Sequence, residues 1–197
     1  AYTLDGTSFI KVEGTNFDDS LLVGHATTGT LSSAADNTGV GIGALNAITA
    51  GTQNTVIGND AGGAITTSKY NTAIGATSLA NLTTGVSTVG MNVAVGRSAL
   101  QLTTGAYNVG VGGGAGENIT SGDGNVIIGK VTADSATGDR QLKIAGYDGS
   151  TTTTWISGDN SGNLTFAGTV GSGAITSTGI VTGTGFTAGN AVLAEAE

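Results

Sequence analysis

NTVIGNDAGGAITTSKYNTAIGATSLANLTTG, residues 54–85, holds two copies of one pattern, and reading that stretch as a repeat decides the fold. Each copy opens with Asn, Thr, a variable residue, Ile and Gly, and carries an apolar residue followed by Thr further on. Working outward, the opening pattern Asn-[Thr/Val]-x-[Val/Ile]-Gly occurs six times, starting at Asn37, Asn54, Asn71, Asn92, Asn108 and Asn125. The intervals are 17, 17, 21, 16 and 17 residues. A second signal runs in phase with it: Ile48-Thr49-Ala50, Ile65-Thr66-Thr67, Leu82-Thr83-Thr84, Leu102-Thr103-Thr104 and Ile119-Thr120-Ser121. Two phased signals mark a solenoid, because a unit this short cannot bury its own apolar face and must stack on its neighbours.

Each unit reads as strand, turn, strand, turn. Residues two apart share a strand face, so the second and fourth positions of the pattern fall together. The fourth is always aliphatic and β-branched (Val40, Ile57, Ile74, Val95, Val111, Ile128), and that face is predicted to be the interior. The glycine that follows (Gly41, Gly58, Gly75, Gly96, Gly112, Gly129) lets the chain corner where a β-carbon would resist. The leading Asn suits the preceding corner, and in-register Asn side chains can form an amide ladder. Six rungs at ~4.8 Å make a rod section about 29 Å long. The 21-residue copy places about four extra residues near Gly85–Met91 in a bulged loop.

Composition agrees with an extended β-structure. The 197 residues include 36 glycines, no proline and no cysteine, and only 10% are charged, against about 25% in ordinary domains. Frequent Val, Ile and Thr argue against disorder, and glycine without imino acid excludes collagen. A net charge of −8 and the lack of any basic run exclude a nucleic-acid surface. No apolar stretch approaches the ~18 residues that span a bilayer, so no membrane insertion is expected. From Thr30 to Gly110 the only charged residues are Asp36, Asp60, Lys69 and Arg97. So bare a surface is predicted to pack on other copies of the chain, three around an axis.

NTAIGATSLANLTTG (71–85) and NVAVGRSALQLTTG (92–105) resemble the repeats of phage tail-fibre proteins, and are similar to the head repeats of trimeric autotransporter adhesins. The resemblance covers roughly Leu22 to Lys130. It implies a left-handed parallel β-roll in each chain and three rolls side by side as a homotrimer. The segment from Thr154 to Leu164 resembles one common in phage structural fibres, so the flanks fit a virion appendage better than an adhesin.

Four regions are expected: an N-terminal β segment over 1–21, the β-roll over 22–130, a small β-module over 131–167 and a Gly/Thr/Ser-rich segment over 168–197. The roll opens on a shortened capping repeat at Leu22–Leu31, and its period is read as ending after Lys130. In the module, Gly158-Asp159-Asn160-Ser161-Gly162 signals a hairpin, with Trp155 and Phe166 as apolar anchors and the module's own trimeric packing. In the last region Val170, Ile175, Ile180 and Phe186 recur at five or six residues, which reads as a thin intertwined shaft or a flexible linker.

Little in the chain carries chemistry. The glycine clusters at Gly39–Gly43 and Gly110–Gly116 lack the strand, helix and acid of a dinucleotide site, and the repeat explains them. His25, the one histidine, has no triad signature around it. Asp18-Asp19 and Asp159-Asn160 fit turns better than calcium, lacking known calcium-loop spacing. Three Asn-x-Thr sequons, at Asn81, Asn118 and Asn163, are read as consequences of the pattern, two of them falling on its apolar-Thr step. No catalytic, metal or cofactor site is expected, and the chain is read as no enzyme. Lys69, Tyr70, Arg97 and Tyr107 are the bulky or charged features of the roll and the candidate receptor contacts. The functional expectation is a stiff trimeric spacer in a virion appendage, with other appendage proteins and a host-surface glycan or protein as partners. The alternative is a cellular adhesin or extracellular filament.

Overall fold

The structure, a computed structural model, describes residues 2–4, 7–12, 14–24, 28–83 and 90–168, with side chains from Ile10 onward. His25, the loop residues 84–89 and the shaft or linker from Thr169 lie outside the described residues. The described chain is all-β, without helix. Its strands are β1 (Tyr2–Leu4), β2 (Thr7–Val12), β3 (Phe17–Asp18), β4 (Leu21–Val23), β5 (Ala34–Ala35), β6 (Thr38–Val40), β7 (Thr55–Ile57), β8 (Thr72–Ile74), β9 (Val93–Val95), β10 (Val109–Val111), β11 (Val126–Ile128), β12 (Leu142–Tyr147), β13 (Thr152–Gly158) and β14 (Leu164–Phe166).

Twelve of these form one sheet in the order β1-β2-β4-β6-β7-β8-β9-β10-β11-β12-β13-β14, and β3 pairs with β5. From β4 to β12 the seven successive pairings are parallel and in register, one per turn of a solenoid. At each end the sheet continues as an antiparallel meander, β1-β2-β4 and β12-β13-β14. The solenoid therefore has two more rungs than the six copies of the pattern.

The Asn positions explain this. The side-chain oxygen of each Asn accepts the backbone N–H of the residue in the same place one rung on. Asn54, Asn71, Asn92, Asn108 and Asn125 donate in this way at 2.9–3.1 Å. Side-chain amides also link Asn54 to Asn37, Asn71 to Asn54, Asn92 to Asn71 and Asn125 to Asn108. The ladder begins at Ser20, whose Oγ accepts from the Asn37 N–H (2.9 Å), and ends at Gln141, whose N–H and amide both donate to Asn125 Oδ1. Ser20 and Gln141 stand 17 and 16 residues from their neighbours in the ladder, so the period does not end at Lys130. β12 is its last rung, and the hairpin module is continuous with the sheet.

The predicted interior face is the wrong one. All six repeat Asn residues are buried, and a side chain two residues on must point the same way. The third position of the pattern (Gly39, Val56, Ala73, Ala94, Gly110, Ile127) therefore faces inward and is buried, while the second and fourth face out. Hydrophobicity alone picks the aliphatic face; the buried amide ladder overrides it.

The second half of each rung also differs from expectation. Among the described residues it is a stack of turns, with no strand apart from β3 and β5. Ile48, Ile65, Leu82 and Ile119 close these turns and are buried. In the fourth copy of the pattern the register is one residue off: Leu102 is exposed and Thr103 takes the core position. Its N–H donates to Leu100 O as the equivalent N–H groups of Ile65 and Ile119 donate to Gly62 O and Gly116 O. The turn brings in Leu45, Leu79 or Leu100, each at positive φ and fully buried, in the rungs whose strand supplies Gly39, Ala73 and Ala94. Where the strand supplies Val56, the turn supplies Gly62. Where both sites are glycine, as at Gly110 and Gly116, Leu100 of the preceding rung fills the space, 2.7 Å from where a β-carbon on Gly110 would sit, so core volume is shared between neighbouring rungs.

The corner glycines are forced by close stacking. A β-carbon on Gly75, at φ +128°, would lie 2.6 Å from the carbonyl carbon and oxygen of Gly96 on the next rung. Gly113 has no such neighbour. At the ends the core is closed by Phe17, fully buried, and by Lys143, whose Nζ pairs with Asp134 at 2.7 Å.

Candidate functional site

Two features of the surface stand apart from the ladder that shapes them. The first is the outward face of the sheet. Cross-strand partners place Ile10, Val23, Val40, Ile57, Ile74, Val95, Val111, Ile128, Ile144, Ile156 and Phe166 in one unbroken row. Ten strand spacings make the row about 48 Å long. Beside it runs a second row without charge: Val12, Leu21, Thr38, Thr55, Thr72, Val93, Val109, Val126, Leu142, Gly158 and Leu164. Ile57 and Ile74 are 40% and 38% exposed, although parallel sheets ordinarily have both faces covered.

The second feature is the corner just before each Asn. The residue there is left-handed at every rung: Asp19, Asp36, Gln53, Tyr70, Met91, Tyr107, Gly124 and Arg140 have φ between 47° and 66°. Tyr70 and Tyr107 are therefore two rungs apart on one edge, with Met91 between them and Lys69 beside Tyr70. All three side chains are exposed, at 42%, 45% and 53% for Tyr70, Met91 and Tyr107. Arg97 lies past the other end of its strand, beyond Gly96, so the structure brings together three of the four candidate contacts and leaves Arg97 apart. Met91 was not singled out by the sequence; its place directly before a repeat Asn, like both tyrosines, is the signal that finds it.

A third region is polar. An open cleft of about 400 Å³ lies between the turn before β12 and the β13–β14 hairpin, lined by Asp134, Asp139, Gln141, Asp159, Asn160 and Asn163 among others. Its carboxylates are engaged. Asp134 holds Lys143, and Asp139 accepts from the Asp123 N–H (2.9 Å). Asp159 accepts from the Asn163 side chain (2.8 Å) and from the N–H groups of Ser161 and Asn163, both at 2.9 Å. The Asn163 side chain, then these backbone donors, hold the Asp159 carboxyl below its ordinary range. This is the turn role expected of Asp159. Trp155 and Phe166 are not buried anchors: Trp155 is the extra residue of a β-bulge, lying against Gly146 and 55% exposed, and Phe166 belongs to the outward row. Among the described residues no three His, Cys, Asp or Glu side chains are grouped to hold a metal ion.

Comparison with protein-family models, curated proteins and solved structures returns no match. Function must be argued from these surfaces.

Proposed function

We propose that the chain is a stiff structural segment of a homotrimeric fibre, an appendage of a virus particle, in which three solenoids pack side by side through their outward strand faces. The observation that carries this reading is the aliphatic row from Ile10 to Phe166. Contiguous exposed apolar surface beyond a few hundred Å² marks an interaction site, and this row crosses eleven strands without one polar side chain. A copy of the same chain is the partner that matches its length, its rung spacing and its lack of charge. Packing three such faces round an axis would remove them from water while leaving the polar turns outside. The mechanical role follows from the ladder: continuous backbone and amide hydrogen bonds along the axis resist bending and proteolysis without any chemistry. The left hand of the roll and a thin shaft over residues 168–197 belong to the same reading.

Solution mass tests it. Light scattering coupled to size exclusion is expected to give three times the 19.0 kDa chain mass, with the early elution of an elongated particle. A monomer at micromolar concentration would overturn the proposal.

A further inference from the structure

The corner column before the Asn ladder is left-handed at every rung, so the fold sets the backbone there whatever side chain it carries. A β-carbon in the left-handed region costs roughly 1–2 kcal/mol, and Gly, Asn and Asp bear it most easily. Asp36 and Gly124 fit that rule. Tyr70, Met91 and Tyr107 do not, nor do Gln53 and Arg140, and the corner turns all of these side chains outward.

The column is also straight. The N–H groups of Asp36, Gln53, Tyr70, Met91 and Tyr107 each donate to a carbonyl one rung back, at 2.8–3.1 Å, so the five side chains leave the same edge in register. Tyr70 and Tyr107 stand about 10 Å apart, two rungs, which is close to one disaccharide unit of an extended β-linked sugar chain. Neither phenol hydroxyl has a hydrogen-bond partner among the described residues, whereas that of Tyr147 donates to Gly149 O. On one flank the neighbours of Met91 and Tyr107 are Gly90 and Ala106, so both side chains rise from a low shelf.

We propose that this edge is a binding track for a linear glycan running along the solenoid axis. The two phenol rings offer flat apolar faces to the C–H sides of alternate sugars, and Met91 fills the step between them. The phenol hydroxyls, the Gln53 amide, the Asp36 carboxylate and the Lys69 ammonium supply donors and acceptors for sugar hydroxyls. A narrow, flexible polymer fits a ridge one residue wide, which a flat protein surface does not. The proposal deepens the fibre reading by adding attachment to spacing, and rests on it only for the source of the glycan, a surface polysaccharide.

The test uses the full chain and the β-1,4-linked hexasaccharides of glucose and N-acetylglucosamine, with binding followed by calorimetry. At least one hexasaccharide is expected to bind saturably. In the double variant Tyr70→Asn, Tyr107→Asn, affinity should fall about tenfold or more, since each stacked ring is worth about 0.5–1.5 kcal/mol. Asn is at ease in the left-handed region, so the same variant should melt no lower than the wild type. Trp155→Ala, which alters a distant exposed aromatic, should leave binding unchanged. The proposal fails if neither sugar binds, or if the double variant binds as the wild type does. It also fails if the double variant loses the oligomer mass, for the column would then be a contact between copies. Loss of the trimer reading with sugar binding intact would leave the track standing.

Discussion

At the residue scale one side chain type carries the fold. A buried Asn is ordinarily a liability, since its amide must be satisfied away from water. Here each one accepts from the next rung and most donate across their own rung, as Asn54 does to Ser68 O at 3.0 Å. Among the described residues no buried side-chain nitrogen or oxygen lacks a partner. Replacing Asn54 by Ala would strand the N–H of Asn71 and the carbonyl of Ser68 together. Each orphaned group costs about 1–3 kcal/mol, so a loss of roughly 2–5 kcal/mol in chemical denaturation is expected. Asn59, which bonds Ile42 O at the exposed surface, is the control: Asn59→Ala should change stability by no more than about 0.5 kcal/mol. Equal effects at the two positions would remove the ladder from its central role.

At the element scale the solenoid needs an end. A parallel stack leaves unpaired N–H and C=O groups at its last strand, and the antiparallel meander β12-β13-β14 covers them. The β13–β14 turn is held by Asp159, whose ionised carboxylate accepts three hydrogen bonds. Its pKa is lowered in the folded chain, first by the Asn163 side chain and then by backbone donors. A carboxylate with a depressed folded pKa stabilises the structure above its unfolded value, and that contribution is lost as pH falls through the folded one. The hairpin should therefore loosen below about pH 3.8, the ordinary value, before the rungs do. Amide exchange at Ser161 and Asn163 reads this directly. Protection unchanged down to pH 2, or protection in Asp159→Asn at neutral pH equal to that of the wild type, would show that the carboxylate does not hold the turn.

At the scale of the whole molecule the question is what covers the outward face. Ile57 and Val111 lie three rungs apart in the aliphatic row and point away from the core, so a charge there leaves the ladder and core intact. In the double variant Ile57→Asp, Val111→Asp the monomer is expected to keep its β-sheet circular dichroism while the trimer mass falls to that of one chain. Like charges brought together at an interface cost several kcal/mol. A variant that remains trimeric would mean that another face joins the copies.

The sequence by itself determined the repeat, its period, the all-β stacked architecture and the amide ladder, because a motif recurring every 16 to 21 residues leaves few ways to bury its apolar positions. It also found the β13–β14 hairpin. Only the tertiary structure decided which side of the strand faces inward. Alternation of period two is symmetric between faces, and the buried Asn column breaks that symmetry through hydrogen bonds between rungs that no single repeat displays. The terminal rungs at Ser20 and Gln141 were hidden because the ladder asks for a side-chain oxygen at that corner, which Ser and Gln supply as well as Asn. That Thr103 and not Leu102 takes the core position was hidden too, because the partners of its hydroxyl, the Gly105 N–H and the Asn108 amide, come together only in the fold. Met91 joined the edge only when successive rungs were stacked, since neighbours along a solenoid axis lie a full turn apart in the chain.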